Sequence, residues 1–175
     1  IFKHKADSNK ILFVGNIGYL PNKLACYNFS KKILPQINKT YPKIEFNIVG
    51  KINTFDKFIL SRFSNVKVHG PVKKIDNMIK KSICGISNLK VATGLQNKIF
   101  MYMSYGLPVI ASKDSVPKNL IKNKKNILIY SRQDDLIKCI SELINKKKLA
   151  NLISRNSYKI VKNKLTAKKV YNKYI

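Results

Sequence analysis

The chain has 175 residues, 45% of them apolar, and its 35 basic residues against 8 acidic ones give a formal charge of +27. This length and apolar content are sufficient for one domain with a hydrophobic core, and they exclude a disordered or fibrous protein. No apolar run approaches the roughly 20 residues that span a bilayer, and the charged start at Ile1 to Lys5 does not resemble a signal peptide.

Short apolar runs alternate with longer helical patterns along the chain, which is typical of βαβ folds. In chain order the pattern predicts a strand at 11–14, a helix at 22–37, a strand at 44–49, a helix at 56–63, a strand at 66–69, a helix at 74–81, a strand at 83–87, a polar stretch at 88–94, a helix at 95–105 and strands at 109–111 and 127–130. A helical tail follows, with Asp134 and Asp135 in its first turn and a break before Leu149. We therefore predict one α/β Rossmann-like domain over residues 1–175, a doubly wound parallel sheet of about six strands with helices on both faces.

The positive charge by itself would indicate nucleic acid or an anionic membrane as a partner. However, only Arg62, Arg132 and Arg155 are arginine, and the lysines are scattered along the chain instead of forming one stripe. Abundant Lys, Ile and Asn are also what an AT-rich genome encodes in any protein. Nucleic-acid binders usually add arginines and exposed aromatic residues, so the composition disfavours that function and leaves contact with an anionic membrane open.

Cysteine and histidine are too sparse for a metal site. Cys26, Cys84 and Cys139 are far apart and show no CxxC pairing, so we predict buried apolar roles for them in a reducing compartment. The chain contains neither a GxGxxG dinucleotide fingerprint nor a phosphate-binding P-loop. With 8 acidic residues in all, catalysis by paired carboxylates is nearly excluded.

The segment from Thr93 to Ser112 carries the clearest chemical signal. It consists of a glycine loop, a helix, a tight Gly-x-Pro turn and a buried strand. The free N–H groups and positive dipole end of such a helix suit a diphosphate, and Gly94 lets the backbone approach it closely. Lys98 can neutralise a phosphate, and Gln96 and Asn97 can bond to hydroxyl groups. The segment therefore predicts an anion site beyond the carboxyl ends of the strands.

This segment resembles the donor-site motif of GT-B glycosyltransferases, in particular the retaining family GT4, also described as glycosyl transferases group 1. The similarity extends in order over residues 10–165, since residues 11–16 followed by Pro21 and Asn22, Ile48 to Gly50, and Val66 to Val72 also resemble parts of that family. The resemblance implies the C-terminal donor-binding half of an enzyme that transfers a sugar from a nucleotide-diphospho-sugar, without a metal or other cofactor. The implied acceptor is a glycan or a lipid-linked molecule in polysaccharide synthesis.

The resemblance also implies a set of donor-binding residues, although it assigns no catalytic residue. The strand-one loop would face the phosphates, the turn after strand three would lie near the base, and the motif would contact the diphosphate, the sugar and the ribose. The implied residues are Gly15, Asn16, Gly70, Val72, Thr93, Gly94, Leu95, Gln96, Asn97, Lys98 and Met101.

Two acidic positions of the family motif are occupied by Thr93 and Met101, and the Arg and Lys that many relatives carry after strand one are absent. In the family the second glutamate holds the ribose hydroxyls, which a methionine cannot do. Each such bond is worth about 1.5–3 kcal/mol, so donor affinity is expected to fall by one to two orders of magnitude.

Three functions therefore remain open for this sequence. The first is an active transferase, completed by an N-terminal acceptor domain that is expected before Ile1. The second is a degenerate, non-catalytic binding module, and the third is a basic α/β domain that binds nucleic acid. The expected location is cytoplasmic, with peripheral contact to the membrane.

Overall fold

A parallel sheet of six strands lies at the centre of the computed structural model, which describes residues 8–89, 97–116 and 121–164. The strands are β1 (Lys10–Val14), β2 (Glu45–Val49), β3 (Val66–Gly70), β4 (Ser82–Ser87), β5 (Val109–Ser112) and β6 (Leu128–Tyr130). Their order is β3-β2-β1-β4-β5-β6, and every neighbouring pair is parallel. The order reverses between β1 and β4, and open parallel sheets bind ligands at such a switch point. The predicted doubly wound fold is confirmed.

Seven α-helices connect or follow these strands within the described residues. They are α1 (Leu20–Asn28), α2 (Leu34–Thr40), α3 (Thr54–Ser61), α4 (Asp76–Lys80), α5 (Asn97–Ser104), α6 (Gln133–Asn145) and α7 (Lys147–Lys164). The break predicted in the C-terminal tail is confirmed, because Lys146 separates α6 from α7. A single 3-10 turn, Lys113–Ser115, follows β5 and was not predicted.

The helix predicted at 22–37 differs from the structure at both ends and in its middle. It begins two residues earlier, because Pro21 occupies the first turn, where its missing N–H has no partner to lose. A π-helical segment, Phe29–Ile33, separates α1 from α2. This segment ends beside Pro35, which cannot donate an N–H to the preceding turn, and the local hydrogen-bond register shifts there.

Side chains alternate between two hydrophobic layers along β1, as the two-residue period of a strand requires. Ile11 and Phe13 belong to the core under α1, α2 and α6, whereas Leu12 belongs to the core under α5. On the first face the rings of Phe29 and Phe46 pack 4.3 Å apart. The sheet is therefore covered on both faces, and its strand ends are left to form the ligand site.

The cysteine prediction is confirmed at two of three positions. Cys26 and Cys84 are buried, and burial raises the pKa of both thiols, so they act as small apolar groups. Cys139 is only half-buried on α6, where burial raises its pKa to about 11. Within the described residues no three metal-ligating side chains come together, and no described helix is long and apolar enough to cross a membrane.

Candidate functional site

A cleft of about 360 Å³ opens where β1 ends and α5 begins. We refer to it as the β1–α5 cleft, and it is lined by Val14, Gly15, Tyr19, Asn22, Asn97, Lys98 and Met101. Val14 ends β1 and Gly15 follows it. Three further lining residues, Asn97, Lys98 and Met101, lie in the first five positions of α5. The cleft thus combines the carboxyl end of a central strand with the amino end of a helix, which is the arrangement that favours an anionic ligand.

Lys98 is the only cationic side chain among the described residues of this cleft, and two neighbours fix its position. Its ammonium donates a hydrogen bond to Asn22 Oδ1 at 2.6 Å. The same nitrogen lies 4.1 Å from the centre of the Phe13 ring, within the range of a cation–π contact. Asn22 in turn donates from Nδ2 to the carbonyl oxygen of Asn16 at 2.9 Å, so the lysine is tied to the loop after β1.

The electrostatic state of Lys98 follows from its partial burial. Burial lowers the pKa of its ammonium to about 8 from an ordinary value of 10.5. The group therefore remains mostly protonated at neutral pH, although it has lost much of its hydration. Among the described residues its ammonium contacts Asn22 and the Phe13 ring, and no carboxylate of these residues pairs with it. A partly desolvated cation of this kind gains more from an anionic ligand than an exposed lysine does.

A second cleft of about 420 Å³ lies beside the first, over the ends of β2 and β3. We refer to it as the β2–α4 cleft, and it is lined by Val14, Val49, Gly50, Pro71, Val72, Lys73, Lys74, Ile75, Asp76, Met101 and Tyr105. Val14 and Met101 line both clefts, so the two are continuous around these side chains. An elongated ligand can therefore lie across the strand ends with one part in each cleft.

Tyr102 fastens α5 to the sheet beneath the clefts. Its side chain is fully buried, and its hydroxyl accepts the backbone N–H of Val14 at 2.7 Å. Gly85 on β4 makes room for it, because a Cβ at that position would overlap the Tyr102 ring. These contacts fix the distance between the sheet and α5, the helix that carries Lys98 and Met101.

The loops after β1 and β2 also meet through their backbones. Gly50 has a φ of +136°, a conformation open to glycine, and a Cβ there would overlap the carbonyl oxygen of Gly15. The Gly15 N–H donates to Val49 O at 2.9 Å, and the Gly50 N–H donates to Gly70 O at 2.8 Å. Gly15 lines the β1–α5 cleft and Gly50 lines the β2–α4 cleft, so the two clefts share this glycine contact.

The structure brings together five of the residues that the sequence singled out for donor binding. Gly15, Asn97, Lys98 and Met101 line the β1–α5 cleft, and Val72 lines the β2–α4 cleft next to Met101. Thr93, Gly94, Leu95 and Gln96 lie outside the described residues.

Asn16 and Gly70 line neither cleft. The Asn16 side chain accepts the N–H of Gly18 at 3.0 Å, which turns it toward its own loop. Gly70 is buried at a φ of +69°, where its carbonyl accepts the Gly50 N–H. Contact of either residue with a ligand stays a prediction.

Sequence reasoning missed Asn22, Tyr102 and the charged side chains of the β2–α4 cleft. No role for Tyr102 could be inferred from its place in a helical pattern, although it is the largest fully buried side chain. The sequence places Asn22 at the start of a helix and in a loop resemblance, and its bond to Lys98 spans 76 residues of sequence. Of the described residues lining either cleft only Asp76 is acidic, while Lys73 and Lys74 add positive charge.

The sequence model of the family described as glycosyl transferases group 1 matches residues 8–146. The chain belongs to this family. No curated protein matches it. The match includes both clefts and supports the resemblance seen in the donor-site motif.

Solved structures of glycosyl transferases share the fold of this group 1 domain. TarM of S. aureus is 16% identical with a TM-score of 0.78, over 98% of this chain and 35% of TarM. HepE of Anabaena, in complex with UDP and glucose, is 14% identical with a TM-score of 0.77, over 95% of this chain and 47% of HepE. The C-terminal domain of LpcC, a group 1 family protein from Francisella tularensis, is 17% identical with a TM-score of 0.72, over 90% of this chain and 86% of that domain. The chain thus spans about a third to a half of TarM and HepE, and it has the fold of a GT-B C-terminal domain.

Proposed function

We propose that this domain binds a nucleotide-diphospho-sugar and forms the donor half of a retaining glycosyltransferase of family GT4. The position of Lys98 carries the proposal: a partly buried ammonium, which pairs with no carboxylate in the described part of the chain, faces a cleft at the switch point of the sheet. Membership of the glycosyl transferases group 1 family supports it. In this assignment Lys98 and the amino end of α5 hold the diphosphate, while the β2–α4 cleft takes the nucleoside.

UDP is the nucleotide we propose to test first, because HepE and TarM have been crystallised with it. The sugar would pass to a glycan or lipid-linked acceptor in polysaccharide synthesis, in the cytoplasm and without a metal ion. The acceptor would be bound by an N-terminal domain of the full-length protein. This chain's own contribution is to bind and orient the donor, and Lys98 offsets charge that develops on the leaving diphosphate.

The side chain of Met101 favours a second candidate, a relative that binds the nucleotide without efficient transfer. Met101 stands between the two clefts, where the resemblance places a ribose-binding glutamate. A thioether accepts hydrogen bonds poorly, so the ribose hydroxyls would lose their charged partner there. This candidate predicts measurable nucleotide binding with little turnover, whereas the transferase predicts both.

Calorimetry with UDP-, GDP- and dTDP-sugars tests the donor proposal. We expect one of them to bind, and Lys98→Met to weaken that binding at least about tenfold, because a charge-assisted bond is worth about 1.5–3 kcal/mol. Lys159→Met is the matched control, since Lys159 is exposed on α7 away from the clefts. Wild-type affinity should also decline above about pH 8, where Lys98 loses its proton.

A clear alternative result would refute the donor proposal. If none of these nucleotide-sugars binds, while RNA or DNA binds with a steep salt dependence, the charge of the chain serves nucleic acid instead. If wild type and Lys98→Met bind the same nucleotide-sugar with equal affinity, Lys98 does not hold the diphosphate.

A further inference from the structure

Four large apolar side chains stand exposed on two neighbouring helices near the clefts. Leu20 and Leu24 on α1 are 60% and 59% exposed, and Phe55 and Phe58 on α3 are 69% and 60% exposed. We call these four residues the apolar patch. Single exposed apolar residues are ordinary, but a group of them on adjoining elements marks an interaction surface.

An ion pair and a hydrogen bond connect α1 to α3. Lys23 Nζ forms an ion pair with Asp56 Oδ1 at 2.7 Å, and the Tyr27 hydroxyl reaches the same oxygen at 3.4 Å. All four residues of the apolar patch are exposed, whereas Asp56 between Phe55 and Lys57 is buried. The inner sides of both helices are occupied by the core.

The exposed charges on α3 and at its end are basic. Asp56 is the only acidic residue of α1 and α3, and it is buried in its ion pair with Lys23. Lys51 before α3, Lys57 on α3 and Arg62 at its end are exposed, and the Arg62 guanidinium lies 5.6 Å from the Phe58 ring centre. Exposed rings with cations at their rim and no exposed carboxylate on the same helices complement an anionic bilayer surface.

The patch also lies at the end of the domain where the clefts open. α1 follows the carboxyl end of β1, and α3 follows the carboxyl end of β2. Tyr19, one residue before Leu20, lines the β1–α5 cleft and is itself 44% exposed. A membrane bound to the apolar patch would therefore lie near the rim of the clefts. This position suits an enzyme whose acceptor is attached to a lipid.

We propose that α1 and α3 dock this domain on an anionic membrane, with the apolar patch inserted at the headgroup boundary. Lys51, Lys57 and Arg62 then contact lipid phosphates, while the leucine and phenylalanine side chains leave water. The docking adds a membrane-facing surface to the domain and is independent of the donor that the clefts take.

Vesicle sedimentation of the full chain tests this docking. We expect binding to phosphatidylcholine vesicles that contain phosphatidylglycerol, with much weaker binding to phosphatidylcholine alone. The double variant Phe55→Ser/Phe58→Ser should lose at least about tenfold in vesicle affinity, since two rings no longer leave water. Leu152→Ser is the matched control, because Leu152 is 49% exposed but lies on α7. It should bind as wild type does.

Three results would overturn the docking: no vesicle binding by the wild type, unchanged binding by the double variant, or equal loss in the control. Light scattering without lipid measures the oligomeric state, and it tests the alternative that a second copy of the chain binds the apolar patch. A wild-type dimer that the double variant dissociates would assign the patch to that contact instead. Both phenylalanines are mostly exposed, so thermal unfolding and nucleotide binding of the variant should match the wild type.

Discussion

Replacing Lys98 by methionine should make the ligand-free domain more stable while it removes the cation from the cleft. Methionine has a similar length and shape, and it needs no hydration in a partly buried position. In the native chain the Lys98 ammonium contacts Asn22 and the Phe13 ring, and it contacts no carboxylate of residues 8–89, 97–116 or 121–164. The native fold therefore holds a charge that it solvates poorly.

The size of the effect follows from the pKa of Lys98, which burial lowers from 10.5 to about 8. One pKa unit corresponds to about 1.4 kcal/mol, so the protonated lysine costs the native state about 3 kcal/mol at neutral pH. The variant leaves Asn22 Oδ1 without its donor, which costs about 1 kcal/mol. We expect a net stabilisation of about 2 kcal/mol.

The stability of the wild type should change with pH as Lys98 titrates. Below pH 8 the cost is fully present in the wild type, because Lys98 is protonated in both the native and the unfolded states. Between pH 8 and pH 10.5 the unfolded chain binds more protons than the native chain, so wild-type stability rises through this window. The advantage of Lys98→Met should therefore shrink as the pH rises toward 10.5.

Urea denaturation of wild type, Lys98→Met and the control Lys159→Met, at about pH 7 and about pH 10, measures these differences. The control should show no stability gain at either pH. A Lys98→Met variant that is less stable than wild type at neutral pH would refute the reasoning. So would a stability gain of the same size at both pH values, because that gain would not come from the charge.

Further variants test the packing beneath the clefts and the wall between them. Tyr102→Phe should cost about 1–3 kcal/mol of unfolding free energy in urea denaturation, because the Val14 N–H loses its buried acceptor; an unchanged value would mean that water replaces the hydroxyl. Gly85→Ala should lower stability by about 1–3 kcal/mol in the same assay, since the new Cβ overlaps the Tyr102 ring; a neutral effect would show that the ring can move. Met101→Glu should tighten nucleotide-sugar binding at least about tenfold by calorimetry, with Met101→Leu unchanged as its control; no gain would mean that the ribose lies elsewhere.

Much of the fold could be predicted because its signals are local. In β1 the apolar run ends at the turn-forming pair Gly15 and Asn16, and such runs recur between helical patterns at the spacing of βαβ units. The break at Lys146 could likewise be inferred from the apolar stripes on either side. Helix boundaries were less accurate, since the start of α1 depends on the tolerance of Pro21 in a first turn.

The site was only partly predictable because its geometry depends on contacts between distant segments. Lys98 was identified from its motif, but no sequence pattern shows that Asn22 lies against its ammonium. Tyr102 belongs to an apolar helix face, and only the folded arrangement reveals that its hydroxyl meets the Val14 N–H. The hydrogen bond from the Gly18 N–H to the Asn16 side chain is likewise a property of the folded loop.

The backbone contact between Gly15 and Gly50 has a consequence for how the two clefts act together. Each glycine belongs to a different cleft wall, and the hydrogen bond from the Gly15 N–H to Val49 O joins the two walls. The spacing between the two clefts is therefore set by the backbone before a ligand binds. The two ends of a single elongated ligand are then bound at high effective concentration, so the whole ligand gains more affinity than its separate pieces provide.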